Sequence, residues 1–77
     1  MEKELVEYIA KSLVDYPDEV SVNMVEGEQS TIIELKVAQS DVGKVIGKSG
    51  RIANAVRVIL NASAAKNNKH IQLEILD

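Results

Sequence analysis

The chain has 77 residues and no cysteine, phenylalanine or tryptophan. That is enough for one core, and it excludes a disulfide framework or a thiolate metal site. The formal net charge is −3, but it is unevenly spread: residues 1–38 carry three lysines against nine acids, a balance of −6, and residues 39–77 carry six cations against three acids, a balance of +3. The cations of the second half gather around a glycine-containing stretch, and a local field of this kind, more than the net charge, decides where an anion docks. The single histidine, His70, excludes a multi-histidine centre, and no catalytic or metal-binding constellation is expected. No apolar run approaches the ~20 residues of a membrane span, and the first residues lack the basic and apolar regions of a signal peptide. The expected setting is the cytoplasm, with no membrane contact.

In chain order, residues 2–16 read as a helix. Leu5, Ile9 and Leu13 recur every fourth position with Val6 and Ala10 beside them, the spacing of one apolar face. Pro17 is expected to end it. Residues 20–25 alternate, with Val20, Val22 and Met24 on one side, and residues 31–38 alternate again, with Ile33, Leu35 and Val37 inward. The polar turn between them makes the pair a β-hairpin. Ser40 is placed to cap a short helix over residues 41–46, with Asp41 at its positive end. Gly47-Lys48-Ser49-Gly50 then reads as a tight turn, followed by a long helix from Arg51 to Ala65. After a polar loop over residues 66–69, a strand over 70–76 puts Ile71, Leu73 and Ile75 on one face. The order α-β-β-α-α-β predicts an α+β fold in which the helices cover one face of a three-stranded sheet. The second and third strands, joined through two helices, are expected to be parallel neighbours. Residues 1–77 are read as a single domain.

The glycine turn carries the chemistry. Two glycines allow a close backbone approach. Lys48 and Arg51 supply charge, with Lys44 nearby, and the N–H groups of the helix that starts after Gly50 favour an anion. A plain helix–turn–helix connector is the competing explanation, but a connector needs one glycine and no flanking cations. A P-loop is excluded: Gly43 and Gly47 have three residues between them where that motif needs four, and no strand leads into the turn.

Val45-Ile46 before the Gly-x-x-Gly, and Ile52 after it, complete a signature that resembles a K-homology (KH) domain of the type II topology. The longer run from Ser40 to Ala53 is similar to the central segment of the small bacterial KH proteins of the KhpA family. That resemblance spans the whole chain. It implies single-stranded RNA binding without enzymatic activity, cofactor or small-molecule substrate. Gly47 and Gly50 would admit the RNA backbone, Lys48 and Ser49 would donate to phosphate, Lys44 and Arg51 would flank it, and Val45 or Ile46 would wall an apolar groove for the bases. With only Tyr8 and Tyr16 as aromatics, both at the first helix, recognition by stacking on the sheet is not expected. Arg57 reads as a solvated residue or an extension of the phosphate track.

The long helix offers a second surface. Its apolar residues sweep over half its circumference, more than the stripe of roughly 100° that an ordinary surface helix needs. Ile59, with Ile52 and Ala55, is the expected interface. The family resemblance implies a homodimer or a heterodimer with a larger Jag (KhpB)-type KH protein, and a role in post-transcriptional regulation or RNA chaperoning linked to cell shape. The alternative is a protein-interaction module working through the long helix, with weak or partner-dependent RNA binding.

Overall fold

The computed structural model describes residues 2–66 and 68–76, so Asn67 of the expected polar loop lies outside the described residues. Six main elements follow the expected order: α1 (Glu2–Leu13), β1 (Ser21–Glu26), β2 (Ser30–Lys36), α2 (Val42–Ile46), α3 (Arg51–Ala65) and β3 (His70–Leu76). Short 3-10 turns occupy Pro17–Glu19, Gln39–Asp41 and Lys48–Gly50. In the sheet, β2 is central. It runs antiparallel to β1, with Met24 opposite Ile33, and parallel to β3, with Ile33 opposite Leu73.

The period-two pattern puts Val22, Ile33, Leu35, Val37, Ile71 and Leu73 on the helix-covered face, where all are buried. Against them pack Val6 and Ala10 of α1, Val45 of α2, and Val56, Leu60 and Ala64 of α3. The opposite face carries Ser21, Asn23, Val25, Gln72 and Glu74, all exposed, because the alternate positions have no layer above them. The central Ile33 and Leu60 are shut off from solvent, at 0% and 1% exposure.

The first helix stops three residues earlier than expected, at Leu13, and Pro17 is not the cause. The Val14 N–H still reaches the Ala10 carbonyl at 3.2 Å. The next two N–H groups, of Asp15 and Tyr16, turn away and donate to the Asp41 carboxylate at 3.2 and 3.1 Å. A long-range acceptor has outcompeted the helix's own carbonyls. The start of α2 also differs: Ser40 makes no capping bond, and a 3-10 turn leads directly into Val42.

Candidate nucleic-acid interface

The turn between α2 and α3 is set by backbone conformations that few residues accept. Gly47 has φ 77° and ψ 173°, a region open only to glycine. Ser49 follows at φ 57°, ψ 27°, and Gly50 at φ 75°, ψ 15°. The Gly47 N–H closes α2 on the Gly43 carbonyl at 2.9 Å, and the Gly50 N–H returns to the Gly47 carbonyl at 3.2 Å. These reversals push Lys48 and Ser49 outward, and both are exposed. Behind the turn lies Ile52. A Cβ on Gly47 would sit 2.7 Å from its Cγ1, so the missing side chain lets the loop close on the core.

Gly50 also begins α3, and no side chain caps that end. The start of this 15-residue helix lies beside Lys48 and the exposed Arg51, with the Arg51 N–H donating to the Lys48 carbonyl. Among the described residues neither cation makes an ion pair. The positive end of the helix dipole and two cations without ion pairs come together here, an arrangement that favours an anion.

Two expected members of the loop site, Lys44 and Val45, and one expected member of the helix interface, Ile52, lie elsewhere. Lys44 is held by carboxylates, with Nζ 3.1 Å from Asp15 and 3.2 Å from Asp41. Hydrogen bonds to Asp15 and Asp41, outweighing its partial burial, hold its ammonium above the ordinary 10.5. It straps α2 to the segment that follows α1 and is not a free cation. Val45 is 4% exposed and packs in the core, so it cannot wall an open groove. The half-buried Ile46 is left at that position. The apolar space beneath, lined by residues such as Ile9, Val45, Ile52 and Val56, amounts to only 10 Å³. Ile52 belongs to this interior and to the underside of the loop, so it is no part of an outer helix face. Ile59 and Ala55 are on that outer face, joined by Val58 and Ala62. Ile59 is 51% and Val58 69% exposed.

Two contributors are not apparent from the sequence. Asp41, expected only at a helix end, is fully buried and gathers Asp15, Tyr16 and Lys44 around one carboxylate. Burial pushes that carboxyl up, but the Asp15 N–H, the Lys44 ammonium and the Tyr16 N–H outweigh it and hold it below the ordinary 3.8. The polar face of α3 is the second. Asn61 exchanges two hydrogen bonds with the Ile71 backbone, both 3.0 Å, and Arg57 donates to the Leu73 carbonyl at 3.2 Å. Side chains thus occupy the outer edge of β3, where a further strand would otherwise pair.

Comparison with known proteins bears on the fold and the loop together. The KhpA/KhpB KH-domain family model matches residues 3–75, which reaches into every element described above. The chain belongs to this KH family. Its relatives include the protein named RNA-binding protein KhpA of Borreliella burgdorferi, 64% identical over 76 residues, covering 99% of this chain and 93% of that one. The RNA-binding protein KhpA of Clostridium acetobutylicum is 62% identical, over 96% of this chain and 99% of the relative. That of Treponema pallidum is 54% identical, over 100% and 96%. No solved structure matches the chain. The α+β fold is that of a KH domain, and Gly47-Lys48-Ser49-Gly50 is the turn between its second and third helices. Among the described residues no group of three or more His, Asp or Glu side chains could hold a metal ion, and no helix is long and apolar enough to cross a membrane.

Proposed function

We propose that this chain is a non-enzymatic, cytoplasmic KH protein that binds single-stranded RNA and acts in post-transcriptional regulation or as an RNA chaperone. The RNA backbone lies against Gly47-Lys48-Ser49-Gly50, with Arg51 and the open end of α3 completing the phosphate contacts. The observation that carries this reading is the outward loop itself: residues in left-handed conformations hold two unpaired cations at an uncapped helix start. The names of the relatives support RNA as the ligand. Fluorescence titration with a short single-stranded RNA tests it. Lys48→Asp combined with Ser49→Asp is expected to remove binding and leave the circular dichroism spectrum unchanged, because both side chains are exposed. Wild-type affinity falls with salt at a log–log slope of about −0.7 per phosphate contacted. Undiminished binding by the double variant sinks the loop assignment.

A second reading is favoured by the outer face of α3. Ala55, Val58, Ile59 and Ala62 follow i, i+3, i+4, i+7 spacing and are exposed together, a stripe of the kind that buries against a partner helix. The partner is a second copy of this chain or the KH domain of a KhpB-type protein. Two linked KH surfaces gain avidity when one RNA spans both. Ile59→Asp is expected to convert a dimer to a monomer in light scattering, while a wild type that stays monomeric at high concentration removes this reading.

A further inference from the structure

We propose that the outer edge of β1 is a docking site for an extended segment of another protein, flanked by lysine or arginine, which adds to the sheet as a fourth strand. This edge lies on the far side of the sheet from β3, and the inference does not depend on the RNA-binding reading.

The two edges of the sheet are built differently. On β3, Asn61 and Arg57 take up backbone groups that a further strand would use. On β1 nothing does so. Its pairing with β2 runs without a bulge from Ser21 opposite Lys36 to Glu26 opposite Thr31. The Gly27 N–H donates to the Ser30 carbonyl at 2.7 Å, which makes Gly27 and Ser30 a hydrogen-bonded pair in the same register. Such pairs alternate along an antiparallel ladder, so Ser21, Asn23 and Val25 turn their backbone groups to β2. Val22, Met24 and Glu26 turn theirs outward, and among the described residues nothing bonds to them there. An edge is commonly guarded by a lysine, a proline or a bulge within the strand, and Ser-Val-Asn-Met-Val-Glu contains none of these. Val25 is 51% exposed on the open face of the sheet and Met24 is half-buried on the other. An incoming strand therefore finds an apolar contact on each face.

Charge selects the occupant. Residues 12–35 carry six acids, Asp15, Asp18, Glu19, Glu26, Glu28 and Glu34, and no lysine or arginine. Asp18 and Glu19 precede β1, Glu26 ends it and Glu28 follows it. Among the described residues none of these four is in an ion pair. A second copy of the chain is disfavoured, because pairing about a two-fold axis at Met24 would carry Glu26 and Glu28 of each chain toward Asp18 and Glu19 of the other. The same acids repel RNA. A segment with cations at both ends is complementary at both. Its ladder bonds to Val22, Met24 and Glu26 supply affinity through the main chain, as in other cases of strand addition.

The test uses a synthetic peptide of alternating valine and threonine with two lysines at each end, long enough to span the roughly 20 Å of β1, and follows amide hydrogen exchange by NMR. In the free, dilute protein the Val22, Met24 and Glu26 amides are expected to exchange faster than those of Asn23 and Val25. The peptide should slow those three about tenfold or more, and less so at high salt. Glu26→Lys combined with Glu28→Lys should weaken the peptide about tenfold and leave the circular dichroism spectrum unchanged, since both side chains are exposed. The inference is overturned if the peptide leaves the three amides exchanging as before, the result expected of acids that only guard a bare edge. It is overturned equally if a glutamate-ended peptide protects them as well. Protection that appears with rising protein concentration and no peptide would assign the edge to a second copy, and protection already present in the dilute free protein would mean that the edge is covered. Either result refutes the inference on the wild type alone.

Discussion

Gly47→Ala is expected to lower the thermal unfolding midpoint by about 15 °C, the largest effect of any single-methyl change in the loop. Two costs add at this position. The backbone at φ 77°, ψ 173° is closed to residues with a side chain, and the new Cβ would lie 2.7 Å from Ile52 Cγ1 and 3.0 Å from two further atoms of that side chain. Strain of this kind costs about 1–3 kcal/mol and overpacking a similar amount, so roughly 3 kcal/mol is a fair sum. In a domain of this size each kcal/mol moves the midpoint by about 4–8 °C. Ile52 cannot yield freely, because it sits above the interior near Val45 and Val56. The other glycines of the region calibrate the result. Gly50→Ala meets only Asn54 Nδ2 at 3.6 Å and carries the cost of φ 75° alone, so about 1 kcal/mol is expected. Gly43→Ala finds nothing within 4 Å and no positive φ, so it should stabilise the protein by about 0.5–1 kcal/mol through a stiffer unfolded chain and a better helix former. Calorimetry on the three variants must return the order Gly43, Gly50, Gly47. Equal midpoints for the Gly47 and Gly50 variants would sink the account of the Ile52 contact.

Asp41→Ala is expected to be comparably severe, with a fall in midpoint of roughly 10 °C or more. The substitution strands the Asp15 and Tyr16 N–H groups and removes one of the two carboxylates that hold Lys44. Asparagine is a poor replacement, since its NH₂ would confront one of the N–H donors that the second carboxylate oxygen now accepts. The loss should depend on pH in a defined direction. The folded Asp41 pKa lies below its ordinary 3.8, so its contribution is complete above that value and fades as the pH falls through the folded pKa. The gap between wild type and Asp41→Ala is therefore wide at neutral pH and narrows in strong acid, as the pH falls through the folded pKa. Lys44 behaves in mirror image: its contribution is complete below 10.5 and is lost as the pH rises through its raised folded value. Denaturant titrations at several pH values measure both limbs, and a gap that stays constant into strong acid would remove Asp41 as the cause.

The strongly periodic elements are legible in the sequence alone. Ile33, Leu35 and Val37, like Ile71 and Leu73, alternate over enough residues to define one buried face, and α3 ends at the residues expected. The parallel pairing of β2 with β3 follows from the two helices between them. What stays hidden depends on partners distant in sequence. The end of α1 is decided by Asp41, whose bond to Asp15 spans 26 residues. Lys44 reads as a free cation because nothing near it in sequence announces Asp15. Val45 and Ile46 cannot be told apart, since α2 has only five residues and defines no clear face. Arg57 reads as a solvated residue or an extension of a phosphate track because polar side chains on a helix usually face water, yet here it bonds, with Asn61, to the rim of a strand.

The parallel pairing at the sheet's centre also governs when this protein can fold during its own synthesis. The hairpin of β1 and β2 is complete by Lys36, but the second partner of β2 begins only at His70. At about 5–20 residues per second, residues 37–69 keep the ribosome busy for roughly 2–7 s. Through that interval one whole edge of β2, with Ile33 and Leu35 on it, waits unpaired, the state most open to pairing with a neighbouring nascent chain. Asn61 and Arg57 likewise have no strand to hold until Ile71 and Leu73 emerge. A product truncated before β3 would thus retain the Gly-x-x-Gly loop in its sequence and lack the third strand on which α3 rests.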